Sequence, residues 1–289
     1  RREQMSLIES GEAKVVIGTH ALFQDSVSFK DLSLVIIDEQ HKFGVHQRLS
    51  LTKKASNTPH QLVMTATPIP RSLTMSAYAD LDTSVIDELP PGRQLVETVA
   101  LSNSRRDELI EKIKKISDDG RQIYWVCTLI EESEALRAES AEKTFDYLSS
   151  NLQELKVVMI HGKLTKSDKE VIMKDFEQGK INLLVATTVI EVGVNVPNAS
   201  LMIVENSERL GLAQLHQLRG RVGRGSEKSI CILMYQSPLS EGAKKRLEVL
   251  RQSNDGFMIA QKDLELRGPG EILGTRQTGI ASMKIANIV

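Results

Sequence analysis

Residues 34–41 read Leu34-Val35-Ile36-Ile37-Asp38-Glu39-Gln40-His41. An apolar, mostly branched run leads into two carboxylates, an amide and an imidazole. A run that is apolar on both faces suits a parallel strand covered by helices. In doubly wound sheets, ligands sit at the edge formed by the C-terminal ends of the strands. An Asp delivered there can hold Mg²⁺ on nucleotide phosphates, because Mg²⁺ takes carboxylate and water oxygens. The neighbouring Glu can orient an attacking water or take its proton. Read alone, the stretch is equally a strand ending in a polar turn.

Outward from this run, short stretches of Val, Ile and Leu recur at 15–17, 62–64, 123–126, 157–160, 183–186, 201–204 and 230–235. Longer segments of helical spacing separate them. Leu109, Ile110, Ile113 and Ile116 form one stripe within 105–117. Thr165, with Asp168 three residues on, has the form of a helix start. Strands alternating with helices predict an α/β protein of doubly wound parallel sheets. Pro90-Pro91-Gly92 punctuates the chain. The expected divisions are residues 1–92, 93–237 and 238–289. The last has no strand pattern. Its spacing predicts a helix near 240–251, a turn near 253–256 and a second helix near 257–266. A glycine-rich loop over 268–279 should follow, since each interior Gly costs a helix up to about 1 kcal/mol against Ala.

The chain has 289 residues, with 37 basic and 38 acidic groups. That balance excludes a uniformly basic coat, so any nucleic-acid site is a local groove. No apolar run reaches the roughly 18 residues a membrane helix needs. The opening Arg1-Arg2-Glu3-Gln4 has no initiator Met and no signal-peptide pattern, and reads as part of a longer, cytoplasmic protein. Cys127 and Cys231 each lie in an apolar run and are expected as buried free thiols. The histidines and cysteines have no zinc-ligand spacing.

Three further segments carry chemistry. Gln217-Leu218-Arg219-Gly220-Arg221-Val222-Gly223-Arg224 interleaves guanidinium forks with glycines. Arginine matches phosphate oxygens, and glycine lets backbone approach them. Thr187 and Thr188 end an apolar run and lead to Gly193-Val194-Asn195-Val196-Pro197. Hydroxyls and free N–H groups at a helix start bind phosphate. Met64-Thr65-Ala66-Thr67-Pro68 puts small hydroxyl residues directly after another apolar run; an N-cap before a Pro reads the same way.

In this order the segments resemble the motifs of the superfamily two helicases. Asp38-Glu39-Gln40-His41 is similar to the Walker B motif, Gly18-Thr19-His20 to a nucleic-acid-contacting segment, and Thr65-Ala66-Thr67 to the coupling motif. His161-Gly162-Lys163-Leu164, residues 187–197 and residues 217–224 resemble successive motifs of a second RecA-like domain. The tail, with Arg267-Gly268-Pro269-Gly270-Glu271 and Gly274-Thr275-Arg276-Gln277, resembles the translocation motif of the RecG-type branched-DNA helicases. The transcription-repair coupling translocases share that motif less closely.

The resemblance implies RecA-like sheets, one partial and one complete, with a small helical C-terminal element. It implies ATP and Mg²⁺ as cofactors and double-stranded, branched DNA as partner. Asp38 and Glu39 would serve the metal-bound nucleotide and the attacking water. Gln40, His41 and Gln217 belong to the catalytic motifs, and Arg221 and Arg224 would reach the transferring phosphoryl group. Gly193 and Asn195 would contact the nucleotide. Gly18, Thr19, His20, His161, Gly162, Thr187 and Thr188 would contact DNA. Thr65, Ala66, Thr67, Arg267 and Gln277 would couple the two activities. Asn195 stands where many relatives have Asp, and Thr278 where Ser is expected.

No G-x-x-x-x-G-K-[ST] phosphate cradle occurs in the sequence. The resemblance therefore implies that a P-loop and a junction-engaging wedge domain precede this segment. Without the P-loop, the segment alone is expected to lack ATPase activity. A coupling translocase working with RNA polymerase and a non-catalytic DNA-binding module are the alternatives.

Overall fold

The computed structural model describes residues 2–39, 54–55, 57–65, 82–90, 93–118, 120–128, 134–187, 196–225 and 227–267, with backbone alone at 117, 118, 134–138 and 267. The chain divides into two units, residues 1–68 and 69–289.

The first unit opens with helix α1 (Arg2–Ser10) and a short 3₁₀ helix at His20–Phe23. Strands β1 (Leu34–Ile37) and β2 (His60–Val63) pair in parallel, Leu34 opposite His60 and Ile37 opposite Val63. Val35 and Ile37 are buried against Phe23, Phe29 and Leu32. On the other face Leu34, Ile36 and Leu62 are about half exposed.

The second unit is built on a six-stranded, all-parallel sheet. In chain order it contains β3 (Glu97–Ser102), α2 (Arg106–Asp118), β4 (Gln122–Cys127), α3 (Glu134–Asn151), β5 (Val157–Ile160), α4 (Lys166–Glu177) and β6 (Leu183–Thr187). It continues with β7 (Ala199–Val204), α5 (Leu212–Arg219), β8 (Ile230–Tyr235), α6 (Glu241–Gln252) and α7 (Gly256–Arg267). The spatial order is β3-β8-β7-β4-β6-β5.

Alternation along the strands divides the core in two. Tyr124, Val126, Leu184, Ala186, Met202 and Val204 face one cluster, which also holds Phe176, Leu215 and Leu247 from the helices. Ile123, Trp125, Cys127, Leu183, Val185, Leu201 and Ile203 face the other, with Ile113 and Leu148. Central strands covered on both faces have to be apolar throughout, which is why their runs stand out in the sequence. Cys127 and Cys231 belong to opposite clusters and are free and buried, as expected.

The helix ends follow local chemistry. The Thr165 hydroxyl accepts from the Asp168 amide at 3.2 Å, and the Ser240 hydroxyl accepts from the Ala243 amide at 3.3 Å. Helices α6 and α7 bear out the expected helix pair and pack on the second unit, against α5.

Two expectations are corrected. Residues 15–17 form no strand, and Val15 and Ile17 are exposed. A run that short forms a strand only with a ladder partner, and β1 pairs instead with β2. Conversely, β3 was not expected from the sequence. Among the described residues it is an edge strand bonded only to β8, and exposed positions such as Glu97 and Val99 interrupt its apolar signal. Among the described residues, no helix is long and apolar enough to cross a membrane.

Candidate nucleotide and nucleic-acid sites

In the first unit, Asp38 and Glu39 leave the C-terminal end of β1. The Glu39 amide donates to Asp38 Oδ1 at 2.9 Å, and Glu39 adopts a left-handed φ of 53°. A non-glycine residue in that region carries strain of order 1–3 kcal/mol. Thr65 leaves the same end of the sheet, two residues after β2. Gln40, His41, Ala66 and Thr67 lie outside the described residues.

Gly18, Thr19 and His20 are exposed at the start of the 3₁₀ helix. A Cβ on Gly18 would lie 2.8 Å from the Leu22 side chain, which would have to shift to admit it. The Lys54 ammonium holds the following loop. It donates to the carbonyls of Leu22 at 3.4 Å, of Val27 at 3.0 Å and of Gln24. The sequence reading did not single out Lys54, because nothing local marks a lysine whose partners lie about thirty residues away.

In the second unit, the C-terminal ends of β5 and β6 bring His161 and Thr187 together. Ile160 pairs with Ala186, and Thr187 pairs with Cys127 of β4. Thr187 is buried, and its hydroxyl has no hydrogen-bond partner among the described residues; the same holds for His161 Nδ1. Buried polar atoms are nearly always bonded, which makes these two atoms at a strand end candidate contact points. The Gly162 carbonyl is held by the Lys169 ammonium at 2.8 Å. Thr188, Gly193 and Asn195 lie outside the described residues.

The arginine segment sits at the other end of the sheet. Helix α5 starts where the Gly211 amide donates to Gln214 Oε1 at 3.2 Å, and half-buried Gln217 lies on it. After Arg219 the chain turns beneath the starts of three strands. A Cβ on Gly223, at φ 74°, would lie 2.6 Å from Val96 Cγ2, just ahead of β3. One on Gly225 would lie 2.6 Å from the Pro197 carbonyl oxygen, just ahead of β7. These two glycines are therefore required by packing, whatever ligand the arginines meet.

The three arginines divide by environment. Arg219 is 3% exposed, and its guanidinium bonds the Leu250 carbonyl at 2.9 Å, the Ser253 carbonyl at 2.8 Å and His216 Nδ1 at 2.9 Å. It is a structural tie, which corrects its sequence reading as part of a phosphate-facing set. Arg224 Nε donates to the Gly220 carbonyl at 3.3 Å, which Arg93 also approaches at 3.5 Å. Arg221 and Arg224 both act on the buried Tyr124 phenol; burial pushes it up to about 12, and the two cations pull it down. His216 is pushed down to about 4, first by burial and then by the Arg219 charge. Arg267 closes α7, and Gln277 lies outside the described residues.

The His161–Thr187 pair and the Arg221–Arg224 pair thus occupy opposite ends of one parallel sheet. At about 3.3 Å per residue, its strands separate those ends by up to about 20 Å. The sequence reading also missed an ion pair between half-buried Arg106 and buried Glu205, at the C-terminal end of β7. Its members are 99 positions apart by number, and no spacing rule joins them.

The chain is similar to known proteins over its whole length. Residues 1–76 match the DEAD/DEAH box helicase family, and residues 102–226 match the helicase conserved C-terminal domain. Residues 253–289 match the C-terminal part of domain 3 of the ATP-dependent DNA helicase RecG. Over its whole length the chain is 61% identical to the ATP-dependent DNA helicase RecG of Escherichia coli (strain K12) and 47% identical to that of Bacillus subtilis (strain 168). It spans 42% of the length of each. A solved structure of RecG bound to a three-way DNA junction is 44% identical, with a TM-score of 0.72; the match covers 94% of this chain and 35% of that one. The Mycobacterium smegmatis helicase Lhr bound to ssDNA and AMP-PNP shares the fold, with a TM-score of 0.56 at 18% identity; that match covers 81% of this chain and 33% of Lhr.

Proposed function

We propose, from the premise that this chain belongs to the RecG-type helicases of superfamily two, that the whole protein is an ATP-driven translocase on double-stranded DNA that remodels branched substrates. The single observation that best supports this reading is the separation inside the second unit. Imidazole and hydroxyl groups stand at the C-terminal end of the sheet, and guanidinium groups at the other. A motor has to hold a nucleotide and a track at once, and two chemically distinct phosphate-binding ends suit that division. The match of residues 253–289 to RecG favours this function over the transcription-repair coupling alternative.

In this reading Asp38 holds Mg²⁺. The carboxylate at a strand end, oriented by the Glu39 amide, fits a hard cation that takes oxygen ligands. Bound Mg²⁺ would neutralise charge on the nucleotide phosphates. Glu39 orients the attacking water, with Gln40, His41 and Gln217 completing the motif. Arg221 and Arg224 stabilise charge on the transferring phosphoryl group, together with Gly193 and Asn195 near the nucleotide. For that, Arg224 has to leave the Gly220 carbonyl. Gly18, Thr19, His20, His161, Gly162, Thr187 and Thr188 contact the DNA backbone, where phosphate contacts position the protein without reading sequence. Thr65, Ala66, Thr67, Arg267 and Gln277 couple turnover to movement. The protein works in the cytoplasm, where its buried thiols stay reduced.

The test is DNA-stimulated ATP turnover by the full-length protein. Glu39→Gln should abolish turnover, and Arg224→Ala should lower it by roughly 10³-fold or more, the range seen for arginine fingers. Near-normal turnover in both variants would overturn the assignment.

A further inference from the structure

The segment that delivers α5 from the end of β7 is anchored at every residue from 205 to 208. The Glu205 amide donates to the Val126 carbonyl at 2.9 Å, and its own carbonyl accepts from the Thr128 hydroxyl. Its carboxylate, 8% exposed, pairs with Arg106 and accepts from the Thr144 hydroxyl at 3.4 Å. Asn206 follows in the left-handed region at φ 46°; its carbonyl accepts from Thr128 at 3.2 Å and its amide oxygen from Asn103 at 3.5 Å. The Ser207 hydroxyl donates to the Met234 carbonyl at 2.9 Å, and the Glu208 carbonyl accepts from Arg246 at 2.8 Å. Four residues later α5 begins, at Leu212.

Arg106 is itself fixed. Its guanidinium lies 5.5 Å from the Trp125 ring centroid and 5.4 Å from that of Tyr147, whose hydroxyl donates to Asp107 at 2.7 Å. A pair so enclosed gives little net stability against an apolar substitute, because desolvating both charges offsets their attraction. What it does specify is direction: one carboxylate position and, through it, one path for the turn.

We infer that Glu205 and Arg106 are positioning residues for the arginine segment: the partly buried pair sets the turn at residues 205–208, the turn sets the start of α5, and α5 sets where Arg221 and Arg224 emerge. The inference rests on the proposed phosphoryl-facing role of those two arginines. Neither member of the pair touches the nucleotide.

The experiment is steady-state ATP turnover by the full-length protein on a forked duplex, comparing wild type, Glu205→Gln, Arg224→Ala and the double variant. Melting and circular dichroism report the folded fraction. Misplacing a catalytic group by about 1 Å costs up to about 100-fold. Glu205→Gln should therefore lower kcat per folded molecule by about 10- to 100-fold with KM for ATP unchanged, the split produced by losing an interaction made only in the transition state. Because the pair acts through Arg224, the double variant should turn over no more slowly than Arg224→Ala alone. A normal kcat per folded molecule, or a further loss in the double variant, would overturn the inference. If Glu205→Gln does not fold, Thr144→Val removes only the hydroxyl donor to the same carboxylate and should show a smaller loss of the same kind; no loss there overturns it too. If Arg224→Ala itself turns over normally, the phosphoryl-facing reading has failed and this inference falls with it; a loss in Arg224→Ala with normal turnover in Glu205→Gln overturns this inference alone.

Discussion

Arg219 Nη1 reaches the Leu250 carbonyl at 2.9 Å, tying the helix that carries the arginine segment to the C-terminal turn of α6. The same nitrogen also bonds the Ser253 carbonyl at 2.8 Å and the Thr98 hydroxyl at 3.3 Å. The last carbonyls of a helix have no partner within it. A buried guanidinium, with five donors and a permanent charge, fills that vacancy from a neighbouring element. The motif's first arginine therefore holds the fold, and the proposed phosphate contacts rest on its next two.

Replacing Arg219 by Met should accordingly cost stability first. Leaving buried carbonyls unbonded costs about 1–3 kcal/mol each, and partial rehydration should bring the total to about 2–4 kcal/mol. Urea unfolding of the second unit should show a clearly lower midpoint, with Arg219→Lys intermediate. A midpoint within error of wild type would mean that the tie contributes nothing.

Gly223 should tolerate no side chain. Alanine there meets Val96 Cγ2 at 2.6 Å and must also adopt φ 74°. Strain of about 1–3 kcal/mol from the backbone alone is expected, plus overpacking. Pairing Gly223→Ala with Val96→Ala should recover the packing share and leave the backbone share. If the second substitution recovers nothing, the close contact is not the cause.

His216 makes stability depend on pH. Its folded value of about 4 lies below the ordinary 6.5, so above pH 6.5 both the folded and the unfolded chain hold it neutral and its effect is absent. As pH falls from 6.5 toward 4, only the unfolded chain takes the proton, and stability is lost across that window. Denaturation midpoints of wild type and His216→Gln should therefore diverge below pH 6.5, wild type falling faster. Parallel curves from pH 7.5 to pH 4.5 would exclude His216 as the cause.

The 289-residue chain alone should bind duplex DNA weakly and without sequence preference, and should not hydrolyse ATP. Binding carried by phosphate contacts falls steeply with salt, as bound counterions are released. Titrations of two unrelated duplexes at 50 mM and about 200 mM salt should give equal affinities at each salt and a large drop between them. Salt-insensitive or sequence-selective binding contradicts the phosphate-contact assignment. ATP turnover that disappears in Glu39→Gln contradicts the need for a P-loop.

The central strands at 123–126, 183–186, 201–204 and 230–235 were legible in the sequence because a strand covered on both faces has to be almost continuously apolar, and the edge strand at 157–160 was legible because its four residues are all apolar. The starts of α4 and α6 were legible because a cap is a local bond, closed by Thr165 or Ser240 within three residues. The helicase-like motifs were legible for a related reason: phosphate chemistry draws on few residue types, and each motif is contiguous. Strand order was not legible, nor was the placing of His161 and Thr187 at one end of a sheet and Arg221 and Arg224 at the other. Periodicity reports which face of an element is buried, not which element lies beside it. The division of labour among the arginines also waited for the tertiary structure. Arg219 and Arg224 look alike in sequence, and only the arrival of Leu250 and Ser253, about thirty residues on, makes one a buried tie. The same holds for Glu205 and Arg106: a charge is costly to bury until a distant partner meets it, and that partner is brought by the fold.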